Sequence, residues 1–391
     1  MRTVGVATFA RSDYSSCRPV MYAIAADPTL QLHLIVGGMH LSPRFGYTVE
    51  LIEGDGFRVN ERIQSSLSSD TREAVGESVG ETTIGLARSF ARLCPDILVI
   101  VGDRVELLAV AAAAGIFGVP LAHISGGDVT EGAIDNQVRH AMTKMSHLHF
   151  VSMQEHANRL IQMGEERWRV IVTGDPALDL IRHMRPLDRV ELENQLQMRL
   201  EPPVVLVTYH PTTLGPYKAH DEIGRVLAGL DSLRATYVLT YPNADPGSQA
   251  MIDAVTKFAA SRNAARAFPN LGQETYYGLL GIADLVVGNS SSGIWEAPSF
   301  QLPAVNIGDR QRGRLRADNV IDVGLDPLDI ANAIRRGLDP AFRASLAGLS
   351  NPYGDGHAAE RVLQAVRSVE LDSRLLQKKF VDQGGAVRDG G

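Results

Sequence analysis

The sequence predicts an α/β fold built from two doubly wound parallel sheets in tandem. Three observations carry that expectation. Short β-branched runs alternate with longer helical patterns through the first half, the paired prolines of "LEPPVV" (200–205) interrupt them, and a second series of apolar runs then begins. Strands alternating with helices read as crossover units, which bury a parallel sheet under helices on both faces. A chain of 391 residues is also long for one hydrophobic core, so two domains are the default.

In the first half, strands are expected at 3–9, 32–38, 96–102, 120–125, 147–152 and 169–174, with helical stretches at 72–93, 105–117 and 134–146. After the prolines, strands are expected at 204–210, 236–242, 265–270, 284–289 and 303–308. The domains are placed at 1–175 and 176–356, with a helix near 357–378 returning to the first. The glycine-containing tail at 379–391 lacks periodicity and is expected to be disordered. Ligands of such sheets bind at the carboxyl ends of the strands, so a cleft between two such domains is the expected binding place.

Composition narrows the class. Hydrophobic content of 45% and charged content of 21% are ordinary for a globular enzyme. A net charge of −7 speaks against nucleic acid and against an anionic membrane surface. Cys17 and Cys94 show neither metal-type spacing nor a disulfide framework, which suits a reducing cytoplasm. The apolar run Val4 to Ala10 is too short for a signal peptide or a membrane span. A cytoplasmic protein with no metal and no cofactor is expected.

Chemistry concentrates at the strand ends. In "GNSSSGIWEAPS" (288–299), small residues and the hydroxyls of Ser290, Ser291 and Ser292 stand between an apolar strand and what reads as a helix start. A helix N-terminus offers free N–H groups to an anion, and serines add donors, so this stretch reads as a phosphate site rather than a simple serine cap. Glu296, about one turn further, is placed to meet a sugar hydroxyl. Asp103 reads either as a helix N-cap or as a functional acid. Arg104 is different, because a cation beside a helix N-terminus is misplaced unless an anion binds there.

The segment 123–140 packs His123, Ser125, Asp128, Glu131, Asp135 and Arg139 into one loop and one helix start, a density suited to acid–base chemistry. Asp135 and Arg139 also have the spacing of an ordinary helical ion pair. His147, His149 and His156 look like metal ligands, but no carboxylate or cysteine at ligand spacing completes a site, and core or capping roles are expected. Arg310 directly follows a strand and is placed to reach phosphate.

These motifs, together with "RSDY", "GMH" (38–40), "VGDRVE" (101–106), "GAIDNQVRHAMTKMSHLHFVS" (132–152) and "NADPGS" (243–248), resemble the hydrolysing UDP-N-acetylglucosamine 2-epimerases up to about Pro352. The resemblance implies two Rossmann-like domains facing a cleft, as in GT-B glycosyltransferases. It implies loss of diphosphate from C1 with removal of the C2 proton, a 2-acetamidoglycal, then addition of water in nonulosonic (sialic-type) acid biosynthesis. Carried over, Asp103 and Asp135 are the catalytic carboxylates. Arg11, Ser15, Arg104, His210, Asn243, Ser290, Ser291, Glu296 and Arg310 contact nucleotide and diphosphate, and His40 lies near the sugar. Relatives are commonly homodimers or homotetramers.

One departure matters. Relatives acting on UDP-N-acetylglucosamine often read "HIEGGE", with a catalytic glutamate where this chain has Ser125. That role is lost, moved to Asp128 or Glu131, or altered with the substrate. UDP-N-acetylglucosamine is the first expectation for the substrate. A UDP- or GDP-linked 2,4-diacetamido-2,4,6-trideoxyglucose of the legionaminic acid pathway is the alternative. A GT-B glycosyltransferase is a rival of another class, but it needs an acceptor and does not require the carboxylates of 123–140.

Overall fold

The computed structural model describes residues 1–43, 46–65, 72–129, 134–212, 218–242 and 247–382. The chain divides into two compact units. The first joins Met1–Arg182 to the segment from Tyr353 onward, and the second is His183–Pro352.

The first unit holds a parallel seven-stranded sheet in the order β3-β2-β1-β4-β5-β6-β7. Its strands are β1 (Arg2–Thr8), β2 (Leu30–Gly37), β3 (Val59–Ile63), β4 (Ile97–Val101), β5 (Leu121–Ile124), β6 (Leu148–Val151) and β7 (Val170–Val172). The longer helices between them are α1 (Arg11–Ala26), α2 (Val49–Gly54), α3 (Arg72–Arg92), α4 (Glu106–Phe117), α5 (Ile134–Met145) and α6 (Gln154–Gln162). Central strands such as β4 are buried along their whole length, as a sheet covered on both faces requires. One face packs Val6, Val99 and Phe150 against Val20 and Met21 of α1 and Val362 of the helix Ala358–Ser368. The other packs Ile35, Leu98 and Ile100 against Leu86 of α3, Val110 of α4 and Val138 of α5.

The returning segment is tied on by hydrogen bonds to backbone carbonyls. Arg2 donates to Arg367 and Val369 at 3.0 and 2.8 Å, and the fully buried Arg169 donates to Arg374 and Leu375 at 2.7 and 2.8 Å. Lys378 meets the buried carboxylate of Glu165 at 2.7 Å.

The second unit holds a parallel six-stranded sheet in the order β10-β9-β8-β11-β12-β13. Its strands are β8 (Val204–Thr208), β9 (Thr236–Thr240), β10 (Ala265–Phe268), β11 (Leu285–Gly288), β12 (Ala304–Ile307) and β13 (Val320–Val323). β3 and β13 were not expected from the sequence. Both are edge strands, paired on one side only and interrupted by charge at Glu61, Arg62 and Asp322.

The stretch after β11 differs from its expected form. The helix Ser292–Trp295 is a single turn, followed by the 3-10 turn Ala297–Phe300. Pro298 has no N–H to give the Ile294 carbonyl, and its ring crowds that carbonyl, so the α-helix stops. A four-residue helix has little macrodipole. Anion binding at this place must therefore rest on individual N–H and hydroxyl groups, and Glu296 is the C-cap of the turn rather than a residue inside a longer helix. Of the expected tail, residues 383–391 lie outside the described residues.

Candidate active site

In each sheet the strand order reverses once, between β1 and β4 in the first unit and between β8 and β11 in the second. Crossovers leave the two central strands in opposite directions there, which opens a crevice at their carboxyl ends. Of the predicted residues, Arg11, Ser15, Asp103 and Arg104 follow β1 and β4, and His210, Ser290, Ser291, Ser292 and Glu296 follow β8 and β11, while His40, Ser125, Asp128, Asp135 and Arg310 come after neighbouring strands.

After β1, Arg11 opens α1 and Asp13 sits in its first turn. The Asp13 carboxylate turns back to accept from the Phe9 and Ala10 amides, both at 3.1 Å, and it is almost wholly buried. Burial pushes its carboxyl up to about 6, against the pull of Arg104 and the Phe9 amide. Ser15 bonds the Ser12 carbonyl at 2.8 Å. His40, at the end of β2, is fully buried with both ring nitrogens engaged, by Thr8 at 3.0 Å and Thr48 at 2.7 Å. Burial holds its pKa down to about 4.

After β4, Asp103 caps nothing and instead receives the guanidinium of Arg139 from α5. Arg139 is thus paired with Asp103, in addition to any helical partnership with Asp135. Arg104 lies 2.9 Å from the buried carboxylate of Glu106. Burial opposes its charge, but Glu106, Asp13 and Asp135 outweigh it and hold the guanidinium's pKa above its ordinary value. Asp135 itself stands half-buried in the first turn of α5.

The loop after β5 is tightly specified. His123 bonds the Gly102 carbonyl at 2.7 Å, linking this loop to the end of β4, and burial lowers its pKa to about 4. Ser125 has φ +67°, a left-handed conformation rare for a serine. Asp128 approaches His156 of α6 at 3.7 Å. Glu131, the other acid of this segment, lies outside the described residues. The remaining histidines have structural partners: His147 accepts from the Leu121 amide at 3.1 Å, and His149 meets Glu165 at 3.0 Å.

In the second unit Asn289 organises the switch point. Its side chain accepts from the His210 amide at 2.7 Å and donates to the His210 carbonyl at 2.8 Å, clasping the ends of β8 and β11. Arg310 and Gln311 both donate to the Asn289 carbonyl, at 3.2 and 2.8 Å. Gly288, at φ +142°, passes so close to β8 that a Cβ there would stand 1.9 Å from the Thr208 carbonyl oxygen. The Ser290 hydroxyl is 3.4 Å from the Ser292 amide, Ser291 precedes the short turn, and the Ser292 hydroxyl accepts from Tyr276 at 2.7 Å. Burial and the nearby Glu296 carboxylate raise the Tyr276 phenol's pKa. Asn243 lies outside the described residues.

Asp13, Glu106, Asn289, Tyr276 and Gln311 were not predicted as site residues. "RSDY" and "VGDRVE" carried a signal for the first two, as acids beside an expected anion-binding arginine. Tyr276 had none, because its contact with Ser292 exists only once the helix Gln273–Ile282 packs against β8 and the 3-10 turn Ala297–Phe300.

Two doubly wound sheets, one with paired acids and arginines at its switch point and one with amides, hydroxyls and glycines, define a GT-B-like α/β protein of nucleotide-sugar chemistry. The family model described as UDP-N-acetylglucosamine 2-epimerase matches residues 22–367. The chain belongs to this family of hydrolysing nucleotide-sugar 2-epimerases. It is 37% identical over 97% of its length to the GDP/UDP-N,N'-diacetylbacillosamine 2-epimerase (hydrolyzing) of Campylobacter jejuni, covering 99% of that protein. It is 32% identical over 97% of its length to the UDP-N,N'-diacetylbacillosamine 2-epimerase (hydrolyzing) of Legionella pneumophila, again covering 99%. Its fold matches the crystal structure of UDP-GlcNAc 2-epimerase from Neisseria meningitidis bound to UDP-GlcNAc, with a TM-score of 0.77 at 16% identity over 94% of this chain and all of that one. Among the described residues no helix is long and apolar enough to cross a membrane.

Proposed function

We propose that this enzyme hydrolyses and epimerises a nucleotide-linked N,N'-diacetylbacillosamine, the 2,4-diacetamido-2,4,6-trideoxy sugar, rather than UDP-N-acetylglucosamine. The observation that carries the choice is the pair of relatives at 37% and 32% identity, both named for that substrate. Ser125, standing where the resemblance places a glutamate, points the same way.

In this reading the second unit holds the nucleotide and diphosphate through Ser290, Ser291, Glu296, His210 and Arg310, with Asn243 as a further contact. Arg11, Ser15 and Arg104 belong to the charge-stabilising set. A C2–H beside an acetamido group is hardly acidic. As the C1–O bond breaks and the diphosphate leaves with its electron pair, positive charge on the ring acidifies that proton. A carboxylate removes it, the C2–H pair becomes the C1–C2 double bond, and the glycal forms. Donors aimed at the leaving diphosphate stabilise its charge. Water then adds at C1 while a proton is delivered to the opposite face of C2. Asp103, Asp135 and Asp128 are the described candidates for these proton exchanges, with Glu131 a fourth acid in the same segment. His40, closed on both nitrogens, holds the ends of β1 and β2 in place.

A panel of UDP- and GDP-linked sugars, assayed for released nucleotide in heavy, 18O-labelled water, tests this. The expected product is a free 2-epimerised sugar with deuterium at C2 and 18O at C1, formed with kcat/KM at least about tenfold higher for the diacetamido sugar, about 1.4 kcal/mol of transition-state discrimination. Equal or better turnover of UDP-N-acetylglucosamine overturns the substrate choice. A free sugar with C2 protium and unchanged configuration overturns the reaction.

A further inference from the structure

The residues that follow β5 are clamped to α6 at Gly127. Arg159 of α6 donates to the Gly127 carbonyl. Gly127, at φ +81°, lies so close that a Cβ would stand 2.7 Å from the His156 carbonyl oxygen and 2.6 Å from a Leu160 methyl. Only glycine permits that approach. The clamp fixes the residue that follows. Asp128 Oδ1 accepts from the Val129 amide at 2.8 Å and lies 3.7 Å from Nε2 of His156. The other ring nitrogen, Nδ1, meets the Ser152 hydroxyl at 3.0 Å. Side chains of His156 and Asp128 are 7% and 21% exposed, so the ring is enclosed while the carboxylate keeps an open side.

From this geometry we propose that His156 is a positioning residue for Asp128, orienting a carboxylate that exchanges protons with the substrate. The inference rests on the reaction proposed above and assigns Asp128 the acid–base role that Ser125 lacks. With the Ser152 hydroxyl as donor to Nδ1, the neutral ring carries its proton on Nε2 and presents it to Asp128, which is the tautomer this role requires. The charged groups facing the ring are Asp128 and Glu155, which favour its cation, and Arg159 and Arg139, which oppose it. Burial is the largest influence and lowers the ring's pKa, so it acts as a neutral donor. At 3.7 Å the contact is longer than a hydrogen bond. Such contacts in ligand-free sites commonly tighten when substrate binds.

A donor to a carboxylate stabilises its charged form, so removing the donor raises the carboxylate's pKa. His156→Phe removes it and His156→Gln keeps an amide N–H near the Nε2 position. Expected for His156→Phe is a fall in kcat of roughly tenfold to a hundredfold with KM changed less than about threefold, and an acid limb of kcat/KM moved up by about one pH unit. His156→Gln should recover most of both. Carbon-13 NMR of aspartate-labelled protein saturated with UDP, with Asp128→Asn supplying the assignment, should show the Asp128 carboxyl titrating at higher pH in His156→Phe than in the parent. An unmoved Asp128 titration, or an unmoved acid limb with equal losses in the Phe and Gln variants, overturns the proposal. Failure of the parent enzyme to turn over any sugar of the panel defeats the functional reading instead, and the titration of the UDP-bound protein still decides the His156–Asp128 pair.

Discussion

The first unit arranges β1 and β4 around its switch point as the second arranges β8 and β11, yet the two places are furnished differently. In the first, charge is answered by buried charge: Asp103 by Arg139, Arg104 by Glu106 and Asp13. In the second, the framework is amide, hydroxyl and glycine, with Asn289 clasping His210 and Tyr276 bonding Ser292. On the function proposed above, acids set beside cations are the furnishing for proton exchange. Neutral donors on closely packed backbone suit an anion that must be held through a reaction without being protonated. One topology thus carries two kinds of furnishing, and the difference lies in the residues following four strands.

The largest expected effect separates chemistry from binding. Asp103→Asn keeps the volume but removes the proposed proton acceptor and the charge opposite Arg139, so turnover should fall by roughly two to four powers of ten. UDP affinity, measured by calorimetry, should change little. Near-normal turnover would show that the charged switch point is structural only.

Next comes the backbone of the second unit. Gly288→Ala places a methyl 1.9 Å from the Thr208 oxygen at a φ of +142°. It should cost about 3 kcal/mol by urea unfolding, through steric overlap and backbone strain. Unchanged stability would mean that β8 and β11 are free to separate.

A smaller effect is expected from single donors and acceptors. Ser290→Ala or Glu296→Ala should weaken UDP binding about tenfold, the worth of one charge-assisted hydrogen bond, while leaving turnover of bound substrate within a few-fold. Should either variant lose turnover as Asp103→Asn does, the division of labour fails.

The mildest prediction concerns pH. Burial depresses the folded pKa of His40, His123 and His147 to about 4, below the ordinary 6.5. Their contribution to stability is complete above pH 6.5 and is lost as pH falls toward 4, because the unfolded chain binds the protons first. All three lie in the first unit, so limited proteolysis across that window should cut there with increasing ease. Protection that stays constant down to pH 4 would show that these rings are not held neutral.

The central strands were legible because a strand buried on both faces must be a run of apolar, β-branched residues, as "ILVIV" and "VVLVT" are. β3 was not, since "VNERI" carries three polar residues in five and has a sheet neighbour on one side only. Within the site, Arg104 was legible from electrostatics, as a cation before a helix. The pairing of Asp103 with Arg139 was not, because it joins residues 36 apart in sequence. The turn after β11 was read as a longer helix because its small residues suit a helix start, whereas Pro298 ends it after one turn.

The returning segment has a consequence for the order of synthesis. Val362 and Leu375 complete the core that β1 and α1 begin, and Arg2 and Arg169 hold carbonyls between Arg367 and Leu375. A ribosome adding about 5–20 residues per second makes the first sheet and then spends on the order of ten to thirty seconds on residues 183–352 before the missing piece emerges. Throughout that interval one face of the nascent first domain exposes apolar surface around Val20 and Ile24 that only its own later residues can cover. The second domain has no such debt to later residues, so the half made last is the half able to finish first.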